Sequence, residues 1–240
     1  MRSLIRTLAF AAGVAGAFAA AQPAVAQPAP KASGIESKDY KWNEMEGEKV
    51  EALHLKGDPA NGEAAYEVCS ACHLPNGSGR PDGTFPQLAG QHASVLIKQI
   101  ADIRAGRRDN PIMYPFATTL VDPQELADVS AYLEKLPIPP GNGKGPGTDL
   151  ERGEQLYARD CVQCHGKQGE GDAAKFYPVL AGQHYEYMLR QIRDIAGLRR
   201  RNANPDMVKV VKDYKDEELQ AVVDYMSRLS WPARSKAGGG

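Results

Sequence analysis

The chain has 240 residues and a formal net charge of −1, with 29 Lys and Arg residues against 30 Asp and Glu residues. This near-neutral balance, together with the lack of a basic nucleic-acid-binding motif, excludes a partnership with nucleic acid. Beyond the N-terminus, no apolar run approaches the length of a transmembrane helix.

The first 26 residues have the pattern of a cleaved secretory signal peptide. Arg2 and Arg6 precede a short, small-residue-rich apolar stretch at 8–21, and residues 24–26 form an A-x-A cleavage site. An uncleaved anchor is the alternative, but the stretch is shorter than a full membrane span. We therefore expect the mature protein in a bacterial periplasm, either soluble or bound peripherally to the membrane.

Residues 27–56 form an N-terminal extension that begins rich in Ala and Pro and becomes charged around Trp42 and Met45. This composition predicts a partly disordered N-terminal segment with one short helix. A dedicated docking arm is the alternative that the sequence leaves open.

The pentapeptide C-x-x-C-H occurs at residues 69–73 and 161–165, and the two copies contain all four cysteines. In c-type haem attachment, two thiols bond the porphyrin vinyl groups and the adjacent imidazole binds the iron. A zinc site would need four ligands near one point, and a redox-active dithiol would lack the trailing histidine. The sequence therefore predicts no disulfide and two covalently attached haem c groups, held by Cys69, Cys72 and His73 and by Cys161, Cys164 and His165.

Both motifs belong to a longer repeat with an offset of 92 residues. The segment FPQLAGQH at 85–92 returns as YPVLAGQH at 177–184, and the helical segment at 98–103 returns at 190–195. An offset of this length indicates a duplicated domain rather than a solenoid of short repeats.

The repeat and the linker composition predict the domain boundaries. Between the copies lies a Pro- and Gly-rich segment that cannot continue a helix. The predicted division is a signal peptide at 1–26, the extension at 27–56, domain 1 at 57–136, the linker at 137–147, domain 2 at 148–232 and a tail at 233–240.

Each copy has apolar residues at helical spacing, and no stretch alternates as a strand would. Asp58 and Pro59 predict the start of a helix before the first haem motif, and Thr148 with Glu151 predicts a capping box before the second. The predicted fold class is all-α, with two small tandem domains that each wrap around one haem. The haem adds the apolar surface that such a small domain lacks.

The sixth iron ligands are predicted from a second repeated motif, N-P-x-M. Met113 and Met207 follow their proximal histidines by 40 and 42 residues (113 − 73 and 207 − 165). His92 and His184 also recur, 19 residues after the same histidines, and remain the alternative. We expect the two methionines, since thioether ligation suits a high-potential carrier. We expect Met188 and Met226 in the core.

These motifs resemble those of the two-haem cytochromes of the c4 class, which are built from two class I cytochrome c domains. The resemblance covers roughly residues 57–230. It implies electron transfer by two His/Met-ligated haems whose propionates face each other. It also implies close packing of a glycine on an aromatic residue, matching Gly62 with Tyr132 and Gly153 with Tyr225.

The expected function is outer-sphere electron transfer by a carrier that is not an enzyme, between redox proteins such as a dehydrogenase and a terminal oxidase or reductase. One alternative is the electron-accepting subunit of a larger sulfide- or thiosulfate-oxidising dehydrogenase. Another is a two-haem redox enzyme with a displaceable distal ligand. The arginines at 107–108 and 199–201 are either solvated helix ends or groups that bind propionates or partners.

Overall fold

The computed structural model describes residues 30–231, so the predicted signal peptide and C-terminal tail lie outside the described residues. Over this range the structure has ten helices and no strand, only an isolated bridge between Asp172 and Tyr177. The all-α prediction is confirmed. In chain order the helices are α1 (Gly47–His54), α2 (Pro59–His73), α3 (Ala93–Arg104), α4 (Tyr114–Ala117), α5 (Pro123–Lys135), α6 (Leu150–Asp160), α7 (Val162–His165), α8 (Tyr185–Ala196), α9 (Pro205–Val211) and α10 (Asp216–Met226).

The first copy is built on the packing of α2 and α3 against α5. Helix α2 begins as predicted, with the Asp58 side chain accepting a hydrogen bond from Ala60 N at 2.9 Å. A Cβ atom at Gly62 would lie 2.0 Å from Asp128 O and 2.8 Å from Tyr132 Cβ. Only glycine allows α2 and α5 to approach this closely, as the resemblance implies.

The second copy repeats this arrangement, with α10 packed against α6 and α8. The predicted capping box at Thr148 and Glu151 is wrong. Asp149 is the N-cap residue of α6, and no side chain caps this helix. The segment before α6 is instead held by Asp224, which accepts a hydrogen bond from Gly147 N.

Helix α1 comes from the extension, before the predicted start of domain 1 at residue 57. It packs against α3 and α5, and its Ala52 is 1% exposed within the apolar core of the first copy. The extension therefore contains a short helix, as predicted, and this helix is part of the folded unit.

The Pro- and Gly-rich linker contains no helix and lies against the second copy. The side-chain amide of Asn142 donates hydrogen bonds to Gln183 O at 2.9 Å and Ser227 O at 2.8 Å. Within residues 30–231, no helix has the length and apolar character needed to cross a membrane.

Candidate haem centres

A large cavity of about 1040 Å³ extends across both copies. It is at the upper end of the volumes of small-molecule sites, about 300–1000 Å³. The predicted attachment residues and distal ligands of both copies line it: Cys69, Cys72, His73 and Met113 from the first copy and Cys161, Cys164, His165 and Met207 from the second.

Each attachment motif ends in a sharp turn. The first motif forms the last turn of α2, and the second spans the junction of α6 and α7. The next residue has a positive φ in both copies, 64° at Leu74 and 77° at Gly166. A leucine in this left-handed backbone conformation is strained. A tyrosine hydroxyl bonds the carbonyl of each turn residue, Tyr66 to Leu74 O at 2.8 Å and Tyr157 to Gly166 O at 2.7 Å.

The proximal imidazoles are held by backbone carbonyls. His73 Nδ1 donates to Pro86 O at 2.9 Å, and His165 Nδ1 donates to Pro178 O at 3.2 Å. These bonds fix the tautomer and leave Nε2 of each ring as the nitrogen able to bind iron. Burial lowers the pKa of both histidines, which favours the neutral imidazole that a metal requires.

The first cysteine of each motif has a thiol that its surroundings make less reactive. Burial raises the pKa of Cys69 to about 11 and that of Cys161 to about 12. A redox-active dithiol needs a lowered pKa, so these values argue against that alternative. Within residues 30–231, no three His, Cys, Asp or Glu side chains lie together so that they could hold a metal ion. The zinc alternative therefore finds no support.

The two candidate distal methionines lie at helix starts. Met113 is the N-cap residue of α4, and its backbone N donates to Asn110 Oδ1 at 3.1 Å. Met207 is in the first turn of α9, which Asn204 caps by accepting a hydrogen bond from Asp206 N. Both thioethers are partly buried at the cavity wall.

Other methionines have structural positions. Met188 and Met226 also border the cavity, but they are 6% and 3% exposed and belong to the apolar core of the second copy, as expected. Met45 is 51% exposed. The methionines that combine partial burial with a loop-proximal position at the cavity are therefore Met113 and Met207.

His92 and His184 are engaged elsewhere. His92 Nε2 donates to Glu170 O, and His184 Nε2 donates to Ser78 O, each at 2.8 Å and each reaching into the other copy. The second nitrogen of His184 accepts a hydrogen bond from Gly143 N at 3.1 Å. Because the Nε2 atoms serve the interface between the copies, this geometry argues against the histidine alternative for the sixth ligand.

A reciprocal pair of glutamines joins the same surfaces. Gln91 accepts a hydrogen bond from Val179 N at 2.9 Å and donates to Val179 O at 3.0 Å. Gln183 accepts from Gln87 N at 3.0 Å and donates to Gln87 O at 2.9 Å. Since Gln91 and Gln183, like Gln87 and Val179, are 92 residues apart, the copies are related by a pseudo-twofold axis. The sequence signal was the repeated G-Q-H, whose role in this interface was missed.

Two arginines meet on the same axis. Arg108 donates to Gln99 at 3.0 Å and Gln191 at 3.1 Å, and Arg200 donates to the same two side chains at the same distances. Neither guanidinium forms an ion pair with a carboxylate among residues 30–231. Burial, followed by repulsion from Arg108, lowers the pKa of Arg200 to about 10. These two arginines line the cavity and are not solvated helix ends.

Known proteins resemble this chain in both sequence and structure. The profile of the family described as Cytochrome c matches residues 59–137 and again 150–230. A "Thiosulfate dehydrogenase electron acceptor" from Stutzerimonas stutzeri is 33% identical over 196 residues, covering 74% of this chain and 90% of that protein. A "Cytochrome c4" from Thiocapsa roseopersicina is 36% identical over 188 residues, covering 72% and 94%. The crystal structure of reduced cytochrome c4 from Pseudomonas stutzeri superimposes with a TM-score of 0.63 at 28% identity, covering 72% of this chain and 99% of that one.

Proposed function

Because this chain belongs to the cytochrome c family and carries two covalent haem c groups, we propose that it transfers electrons in the periplasm with both irons ligated by His and Met. His73 and Met113 bind one iron, and His165 and Met207 bind the other. The chain is an electron carrier and not an enzyme, in line with its relatives.

One observation carries the ligand assignment, namely that the eight residues line a single cavity in two matching sets. Haem supplies one-electron chemistry at its iron when it is bound. The chain fixes the orientation of both proximal rings through the carbonyls of Pro86 and Pro178. Its apolar cavity wall keeps water away, which tunes the reduction potential.

We assign a further role to Arg108 and Arg200, that of binding the haem propionates. The two partly buried cations share neutral glutamines and form no ion pair with a carboxylate of residues 30–231, and burying an unpaired charge is costly. Carboxylates at the cavity would supply that charge. Arginine forms bidentate hydrogen bonds with carboxylates, which matches this role.

Redox proteins are the partners, and a dehydrogenase is the proposed electron donor. The relative named as a thiosulfate dehydrogenase electron acceptor favours a thiosulfate-oxidising enzyme as that donor, and a terminal oxidase or reductase would accept the electrons. Purification of the protein from the periplasm tests both the proposed location and the proposed partner. A mature chain that starts near residue 27 and co-elutes with a stoichiometric dehydrogenase subunit would identify a complex, and a chain that elutes alone would identify a free carrier.

Replacement of either methionine by alanine tests the ligand set. Met113→Ala and Met207→Ala should each abolish one far-red methionine charge-transfer band, lower the potential of one haem and open that iron to small ligands. Met45→Ala is the matched control, since Met45 is exposed. Unchanged spectra in either variant would remove that residue from the ligand set.

A further inference from the structure

The N-terminal strap, which we define as residues 30–46, lies outside the family match and contacts both copies. On the first copy, Ala32 N donates to Gly106 O at 3.1 Å, and Glu46 forms an ion pair with Arg107. The backbone approach is close, because a Cβ atom at Gly106 would lie 1.7 Å from Pro30 O.

The strap also forms hydrogen bonds with the second copy. Ile35 N donates to Arg201 O at 2.8 Å, and the Tyr40 hydroxyl donates to Ala203 O at 2.9 Å. Arg201 Nε donates to Glu36 at 2.9 Å. The strap therefore bridges the two haem-binding units without belonging to either repeat.

Arg201 is the residue at which the three parts meet. Besides Glu36, its guanidinium donates to Ala32 O of the strap and to Gly106 O of the first copy, the latter at 3.1 Å. The side chain is only 11% exposed. The position 92 residues earlier is Asp109, which is exposed, so the pseudo-twofold interface has no second version of this junction.

The strap also covers a buried polar link beside the haem cavity. Trp42 and Lys98 line the cavity, and the Lys98 ammonium lies 5.8 Å from the centre of the Trp42 ring. Lys98 pairs with Asp102, which accepts a hydrogen bond from Asn202 of the second copy at 2.8 Å. Lys98 and Asp102 are 2% and 1% exposed.

We propose that the strap holds the two haem domains in one fixed orientation, with Arg201 and Tyr40 as positioning residues for electron exchange between the haems. Interdomain contacts within a chain commonly permit relative motion, and the linker at 137–147 is rich in glycine. The strap adds contacts that restrain such motion at the edge of the interface where Arg108 and Arg200 lie. The inference rests on the two-haem electron-transfer function.

The test compares Arg201→Ala with Arg193→Ala in the haem-loaded protein. Arg193 also carries a positive charge in the second copy, but its ion pair with Asp216 stays within that copy and away from the cavity. In Arg201→Ala we expect slower electron exchange between the haems, measured by pulse radiolysis, and faster proteolytic cleavage within 30–46. Arg193→Ala should match the wild type in both measurements.

Tyr40→Phe removes a single hydroxyl, so it keeps the test valid if the larger substitution Arg201→Ala disturbs folding. Tyr40→Phe should also slow electron exchange between the haems, but less than Arg201→Ala does. The proposal would be overturned if Arg201→Ala exchanged electrons between its haems at the wild-type rate although its strap is cleaved. It would also be overturned if the strap of Arg201→Ala resisted proteolysis as well as that of the wild type. The methionine charge-transfer bands should persist in all three variants, so failure of the ligand assignment is a separate result.

Discussion

Replacing Gln183 by alanine tests how much its hydrogen bonds at the interface between the haem domains contribute to stability. Gln183 is 7% exposed, and its amide makes both hydrogen bonds to the backbone of Gln87. Its Oε1 also accepts a hydrogen bond from His184 N at 3.1 Å, so alanine removes three hydrogen bonds and leaves two backbone N–H groups and one C=O without partners. With a net contribution of about 0.5–1.5 kcal/mol for each bond, the change should cost about 1.5–4.5 kcal/mol of unfolding free energy. For a chain of this size that corresponds to a Tm lower by about 3–18 °C.

Thermal and guanidinium unfolding of the haem-loaded protein give the measurement, with the Soret band as a check that haem ligation is intact. Gln91→Ala should show a loss of the same order, because Gln91 makes the symmetry-related pair of bonds to Val179. Gln155 is an exposed helical glutamine, and Gln155→Ala is the control. A loss for Gln183→Ala within about 0.5 kcal/mol, the range of ordinary surface substitutions, would refute the reasoning.

Three further outcomes are expected. Ser130 Oγ is buried without a hydrogen-bond partner, and Val223 occupies the equivalent buried position in α10, so Ser130→Val should raise the unfolding free energy by about 1 kcal/mol. A lower midpoint in guanidinium would contradict this. Burial lowers the pKa of His184, so the stability it contributes is present above the ordinary histidine pKa of about 6.5 and is lost as the pH falls below it. Titration of the unfolding midpoint should therefore show a flatter decline in His184→Gln than in the wild type, and equal slopes would argue against this role. A Cβ atom at Gly153 would lie 2.2 Å from Ala221 O, so Gly153→Ala should destabilise by about 1–3 kcal/mol, which a scanning-calorimetry Tm equal to that of the wild type would disprove.

The sequence predicted those features that depend on local pattern. Haem attachment needs only two thiols and an imidazole on one helical turn, so C-x-x-C-H was sufficient for the cofactor. Helical spacing of apolar residues identified α3 and α8, and the repeat identified two domains. The start of α2 followed from Asp58 and Pro59, because capping is decided within one turn.

Contacts between the copies were not predictable in the same way. The targets of His92 and His184 are backbone carbonyls, which carry no residue-specific signal. Arg108 and Arg200 resemble solvated helix ends until the fold brings them together. The strap holds both copies through backbone groups and a few polar side chains, and its composition alone favours disorder.

The pseudo-twofold arrangement of Gln91, His92 and their counterparts makes this surface self-complementary. A self-complementary patch of this kind needs only one gene product, because two identical chains can each offer the donor to the other's acceptor. In this chain residues 137–147 join the two halves, so their association is intramolecular and does not depend on protein concentration.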